Sequence, residues 1–240
     1  MITRFFSVVL WLVAGHAAVG GLYWLLLQVP ESNALMLGLS ALLVLVAVYL
    51  LGLVQVAGWR ILGAGDSFGR AIAEGLRRAW LVVFPLAVFL VFWWVSGAGQ
   101  DWWGAHAGEI DAWFIASLGW TNTGWVHRTA DYILAFIRYG LGVALSVSLL
   151  AAIAAVGAGG IGAGWWLRGA LGWRYLLVVV AALIAGCALP WYGVYWRPTS
   201  LPPTWVQPAF AAVKLFVLFL VGNVAWAFIL LKAPRPPASA

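Results

Sequence analysis

Six long apolar runs limit what this chain can fold into. A helix needs about 20 apolar residues to cross a hydrocarbon core of roughly 30 Å. Residues 5–29, 34–58, 79–96, 175–195 and 208–231 each provide such a run. A sixth, 133–156, carries Arg138 near its start, so its outer boundary is the least defined. Within a bilayer, backbone N–H and C=O groups must pair inside their own segment, so runs of this length read as helices. The expected fold is all-α, a polytopic transmembrane bundle of six helices with interfacial amphipathic helices between them.

Composition removes the main competing class. Of 240 residues 65% are hydrophobic and 8% charged, whereas a soluble domain carries about 25% charged residues, so a soluble core is excluded. Residues 1–233 form one membrane domain in this reading. Residues 234–240, rich in Pro and Ala, form a disordered tail. The net charge of +6 comes from 13 Lys and Arg scattered between apolar runs rather than gathered in a stripe. That pattern argues against a nucleic-acid partner and for anionic lipid headgroups. Cys187 is the single cysteine and lies in an apolar run. It cannot form an internal disulfide, and it is expected to be a small buried hydrophobe. The first run starts like a signal peptide but continues to Val29 without a clear cleavage site, so it reads as a helix that stays attached.

Topology follows from counting cations, because Lys and Arg accumulate on the cytoplasmic side. One set of alternate connections holds Arg4, Arg60, Arg70, Arg77, Arg78, Arg168, Arg174, Lys232 and Arg235; the other holds Arg128, Arg138, Arg197 and Lys214. Both termini are therefore expected in the cytoplasm of a bacterial-type inner membrane. Many of the 18 tryptophans, among them Trp59, Trp80, Trp94, Trp173 and Trp205, fall at run boundaries, where an indole ring favours the headgroup level.

Two connections have helical patterning of their own. Over residues 67–80, behind a cap at Asp66 or Ser67, Phe68, Ile72, Leu76 and Trp80 share one face; Arg70, Glu74, Arg77 and Arg78 share the other. This is an elbow helix in the cytoplasmic interface, with Arg70, Arg77 and Arg78 anchoring lipid phosphates. The other reading of the same face is a docking site for a cytoplasmic partner. Over residues 105–118, Ile110, Trp113, Phe114 and Leu118 oppose Glu109 and Asp111, which reads as a helix lying on the outer surface. The segment from Trp196 to Gln207, with Pro198, Pro202 and Pro203, is too proline-rich for a helix and is expected to be a stiff, extended cover.

Few residues are candidates for chemistry. His106, Glu109 and Asp111 make an incomplete ligand set for a metal, which needs three or four ligands of fixed geometry. No metal or other cofactor is therefore expected. His16 lies about 16 Å into the first run at 1.5 Å per residue, near the bilayer centre. Asn223 in the last run lies at a comparable depth. Either the two bond between helices, or they line a pathway. Lys214 and Arg138 are expected to snorkel outward, Lys214 as an anchor to headgroups, although Arg138 could instead hold an anion. Pro85 is expected to kink the third helix.

The motifs of serine hydrolases, zinc proteases and P-loop enzymes are absent, as is a pair of intramembrane carboxylates. The expected function is a noncatalytic membrane subunit or scaffold packing with lipids and other membrane chains. The alternatives are a small-molecule transport component, with a ligand near His16 and Trp24, and a lipid-acting enzyme using His106, Glu109 and Asp111.

Overall fold

The computed structural model describes residues 2–30, 32–120, 122–196, 198 and 204–237. Among these the regular structure is helical, without strands. Six helical stretches are long and apolar enough to cross a membrane: Ile2–Gln28, Ala34–Ala64, Phe68–Ala105, Gly124–Val156, Trp173–Tyr195 and Val206–Lys232. The chain is a multi-pass helical bundle.

The first hairpin pairs α1 (Ile2–Gln28) with α2 (Ala34–Trp59). Asn33 starts α2 by accepting the Met36 N–H on its side-chain oxygen at 3.0 Å, which satisfies one of the donors a helix start leaves free. A π-helical turn, Arg60–Ala64, follows α2 and ends at Gly65, whose φ of 74° suits a residue without Cβ. The elbow helix α3 (Phe68–Arg78) then leads through a 3₁₀ turn, Ala79–Val82, into α4 (Val83–Ala105). Pro85 therefore lies in the first turn of α4. Just before it the 3₁₀ turn Ala79–Val82 interrupts the α-helix and includes Leu81, whose carbonyl Pro85 has no N–H to bond.

The surface helix α5 (Ala107–Leu118) precedes the fourth crossing, which begins at Gly124 rather than at residue 133. That crossing consists of α6 (Gly124–Ala135), a π-helical segment Phe136–Leu141 and α7 (Gly142–Val156). Two short turns, α8 (Gly159–Gly162) and α9 (Trp165–Ala170), lead to α10 (Trp173–Leu183), a π segment Ile184–Ala188 and α11 (Leu189–Tyr195). The last crossing is α12 (Val206–Lys232). Most of the expected extended cover, at 197 and 199–203, and the end of the expected disordered tail, at 238–240, lie outside the described residues.

The fourth crossing is the hub. In it 72% of the apolar stretch is buried, against 22% or less in each of the other five. The α7 sequence explains this, because Gly142, Ala144, Ala151, Ala152 and Ala154 leave room for neighbours on several sides. The main core brings Val8 and Leu12 of α1, Val54 and Val56 of α2, and Ile229 and Leu230 of α12 together with α7 near the end that carries both termini. Two residues differ from expectation. Trp59 is packed into this core rather than standing at a boundary, and its indole N–H has no partner among the described residues. Cys187 is exposed on the bundle surface rather than buried.

Candidate functional site

Polar side chains gather at three levels of the bundle. The middle level joins three helices. His16 Nδ1 lies 2.7 Å from Asn223 Oδ1, and Gln55 Nε2 lies 2.7 Å from His16 Nε2. Trp226 Nε1 donates to Gln55 Oε1 at 2.6 Å, and Asn223 Nδ2 donates to the Phe219 carbonyl at 2.9 Å.

The direction of every bond follows from one group. An indole N–H can only donate, so Gln55 must turn its oxygen to Trp226 and its NH₂ to His16. His16 Nε2 is then the acceptor, which places the ring proton on Nδ1 and requires the oxygen of Asn223 opposite it. The chain runs from Trp226 through Gln55, His16 and Asn223 to a backbone carbonyl, with a neutral imidazole using both nitrogens. The bond between His16 and Asn223 is the one their matching depth suggested. Gln55 and Trp226 were passed over because neither ionises, although an amide at mid-membrane is a signal in itself. Beside this chain, Trp11 Nε1 donates to the Val54 carbonyl at 3.0 Å, and a Cβ on Gly15 would overlap the Val54 side chain. A groove of 240 Å³ lined by Pro85, Phe89 and Ser146, among others, reaches Gln55 and Trp226; neither His16 nor Trp24 lines it.

At the end carrying the termini, two arginines close off α7. Arg60, 8% exposed, pairs with Asp66 and donates from Nη1 to the Ala154 carbonyl at 2.9 Å. Arg78 pairs with Glu74 at 2.7 Å and donates to the same carbonyl at 2.7 Å and to that of Ile153 at 3.3 Å. The last carbonyls of α7 carry the negative end of the helix dipole, so cations are favoured there. The elbow helix is therefore tied to the hub. Of the three expected phosphate anchors, Arg70 and Arg77 have side chains 71% and 77% exposed, Arg77 also touching Glu74 at 3.3 Å. Arg78, at 22%, turns inward instead. Its place among the anchors is corrected, because the free carbonyls of α7 lie within reach.

At the opposite end, Trp103 Nε1 donates to His127 Nδ1 at 2.9 Å, so His127 carries its proton on Nε2 and donates it to Asp111 at 2.8 Å. A hydrogen bond from Thr123 and the one from His127 hold the Asp111 carboxyl below the usual carboxylate range. This set fastens α5 to α4 and α6. The three weak metal candidates are not brought together. His106 stacks on Trp102 and bonds its carbonyl at 2.8 Å, Glu109 lies exposed, and Asp111 is held by His127. Among the described residues no group of three His, Cys, Asp or Glu side chains is gathered. Lys214 points to protein rather than to headgroups, donating to the Val194 and Trp196 carbonyls at 2.7 and 2.9 Å. It closes the end of α11 in the way Arg60 and Arg78 close α7.

Fold and polar levels together define a multi-pass helical membrane bundle with a continuous hydrogen-bond chain joining α1, α2 and α12. Over 82 residues it is 37% identical to the lysylphosphatidylglycerol biosynthesis bifunctional protein LysX of Nocardia farcinica. That likeness covers 32% of this chain and only 7% of the relative, too little to show a family. No protein-family model matches the sequence. No solved structure matches it either.

Proposed function

We propose that this chain is a noncatalytic subunit of a membrane assembly, holding other membrane chains through the half of its first hairpin that its own bundle leaves bare. One observation carries this reading. No residue from Ala17 to Gln28 is buried, and between Ala34 and Leu50 only Ser40 is. Within this stretch a Cβ at Gly20, Gly21 or Gly38 would meet nothing within 4 Å, so small residues face outward there. Helices approach one another in lipid where side chains are small.

The polar chemistry supports a structural role. His16, Gln55, Asn223 and Trp226 bond one another and leave no basic nitrogen free for a substrate, and Arg60 and Arg78 serve α7. The excess of Lys and Arg at that end favours placing it in the cytoplasm. The likeness to a lipid-biosynthesis protein is compatible with a membrane segment that works beside a lipid-handling partner, and carries no activity by itself.

The test is site-specific photocrosslinking in native membranes from Leu25 and Leu42 on the bare hairpin, with Phe216 on α12 as the comparison. Discrete protein adducts from the hairpin positions and only lipid adducts from Phe216 are expected. Lipid adducts alone from all three positions would remove the subunit reading.

A further inference from the structure

We infer that Arg138 forms a phosphate-binding site on the bundle face opposite the termini. Arg138 lies within the π-helical segment Phe136–Leu141. The extra residue of a π turn re-aims side chains, and such turns recur at functional sites. The guanidinium is held on two sides. Its Nε donates to Ser96 Oγ at 2.7 Å and its Nη2 to Gln100 Oε1 at 3.0 Å, and the group stands 4.5 Å from the centroid of the Trp93 ring. Ser96 is fully buried and its Oγ also reaches the Trp93 carbonyl at 3.0 Å, so the anchor is rigid.

These contacts satisfy part of the hydrogen bonding and none of the charge. Among the described residues Arg138 has no carboxylate within ion-pair distance, whereas Arg60 and Arg78 each have one. The nearest carboxylate along its own helix, Asp131, is seven residues away, about 10 Å toward the end of the bundle at 1.5 Å per residue. An unneutralised cation below the polar layer is costly in a bilayer. Among the described residues Nη1 makes no bond to protein, and guanidinium N–H groups suit phosphate oxygens. An oriented, uncompensated guanidinium on this face selects a phosphate, supplied either by a phospholipid or by free phosphate. The site depends only on the chain lying in a bilayer and is independent of the subunit reading.

The test uses the full chain in a maltoside detergent, which carries no phosphate. Phenylglyoxal modifies accessible arginines, and peptide mapping follows the rate at Arg138, with Arg70 as an exposed control. A charge-assisted pair predicts that short-chain phosphatidylglycerol slows the Arg138 reaction about tenfold and leaves Arg70 unchanged. Diacylglycerol with the same chains should have no effect, because it lacks the phosphate. Equal protection by inorganic phosphate would assign the site to the free anion, and protection by phosphatidylglycerol alone to the lipid. Reaction of Arg138 at the same rate with and without both phosphates, or equal slowing by diacylglycerol, would overturn the inference. Because the protein is unaltered, no variant has to fold for the result to be read.

Discussion

The fourth crossing meets arginines at both ends, and they behave in opposite ways. At the termini end Arg60 and Arg78 each have a carboxylate and a backbone carbonyl of α7. At the other end Arg138 has a hydroxyl, an amide and an indole ring, but no counter-charge. The same residue type is thus part of the fold in one place and open to the surroundings in the other. What differs is which groups lose their partner when the side chain is removed.

The strongest way to break this contrast is Arg60→Ala. It leaves the partly buried Asp66 only the looser contact with Arg70 at 4.0 Å and removes one of the two donors to the Ala154 carbonyl. Breaking one side of a buried pair costs about 3–5 kcal/mol. Denaturation in mixed micelles should show a loss of that order, and a loss below about 1 kcal/mol, the scale of an exposed pair, would mean that the pair is solvated and the contrast false. His16→Ala should come next. It removes two interhelical bonds and strands Gln55 and Asn223, and interhelical bonds in membranes are worth about 0.6–2 kcal/mol. A double-mutant cycle with Asn223→Ala should return a coupling near the lower figure. Zero coupling would show that the two residues do not share a bond.

How much of this was legible beforehand depended on period and depth. Length and hydropathy were enough for the six crossings, and the matching depths of His16 and Asn223 were enough for their bond. What sequence could not supply was the direction of long side chains. Arg78 belongs to the polar face of α3 by periodicity, yet a five-atom reach lets it turn to the end of α7, which lies 75 residues away in sequence at Ile153. Lys214 was read as snorkelling for the same reason, since the carbonyls that hold it belong to another helix. The start of the fourth crossing was missed because Arg128, Asp131 and Arg138 interrupt the apolar run, although the helix continues through them.

Acid should loosen the end opposite the termini. The Asp111 carboxyl sits below its ordinary range because Thr123 and His127 favour the charged form. A depressed carboxylate contributes stability above its unfolded-state value and loses it as pH falls through its folded-state value. Docking of α5 should therefore hold at neutral pH and loosen only below the usual carboxylate range. Hydrogen exchange of the α5 amides against pH reads this directly. Asp111→Asn should remove the acid-dependent change, and an unchanged profile in that variant would assign the opening to other groups.

The smallest expected effect sharpens the contrast most. In phosphate-free detergent, Arg138→Gln removes a charge that no carboxylate balances. Ser96 keeps its bond to the Trp93 carbonyl, and Gln100 is exposed, so neither is stranded. The lost hydrogen bonds and ring contact are offset by relief of the unneutralised charge, which predicts a change within about 1 kcal/mol. Arg60→Ala under the same conditions should cost several times more, since it leaves the partly buried Asp66 only the exposed Arg70 at 4.0 Å. If Arg138→Gln proved as damaging as Arg60→Ala, the outer arginine would be a structural tie like the inner pair, and the two ends of the crossing would be alike.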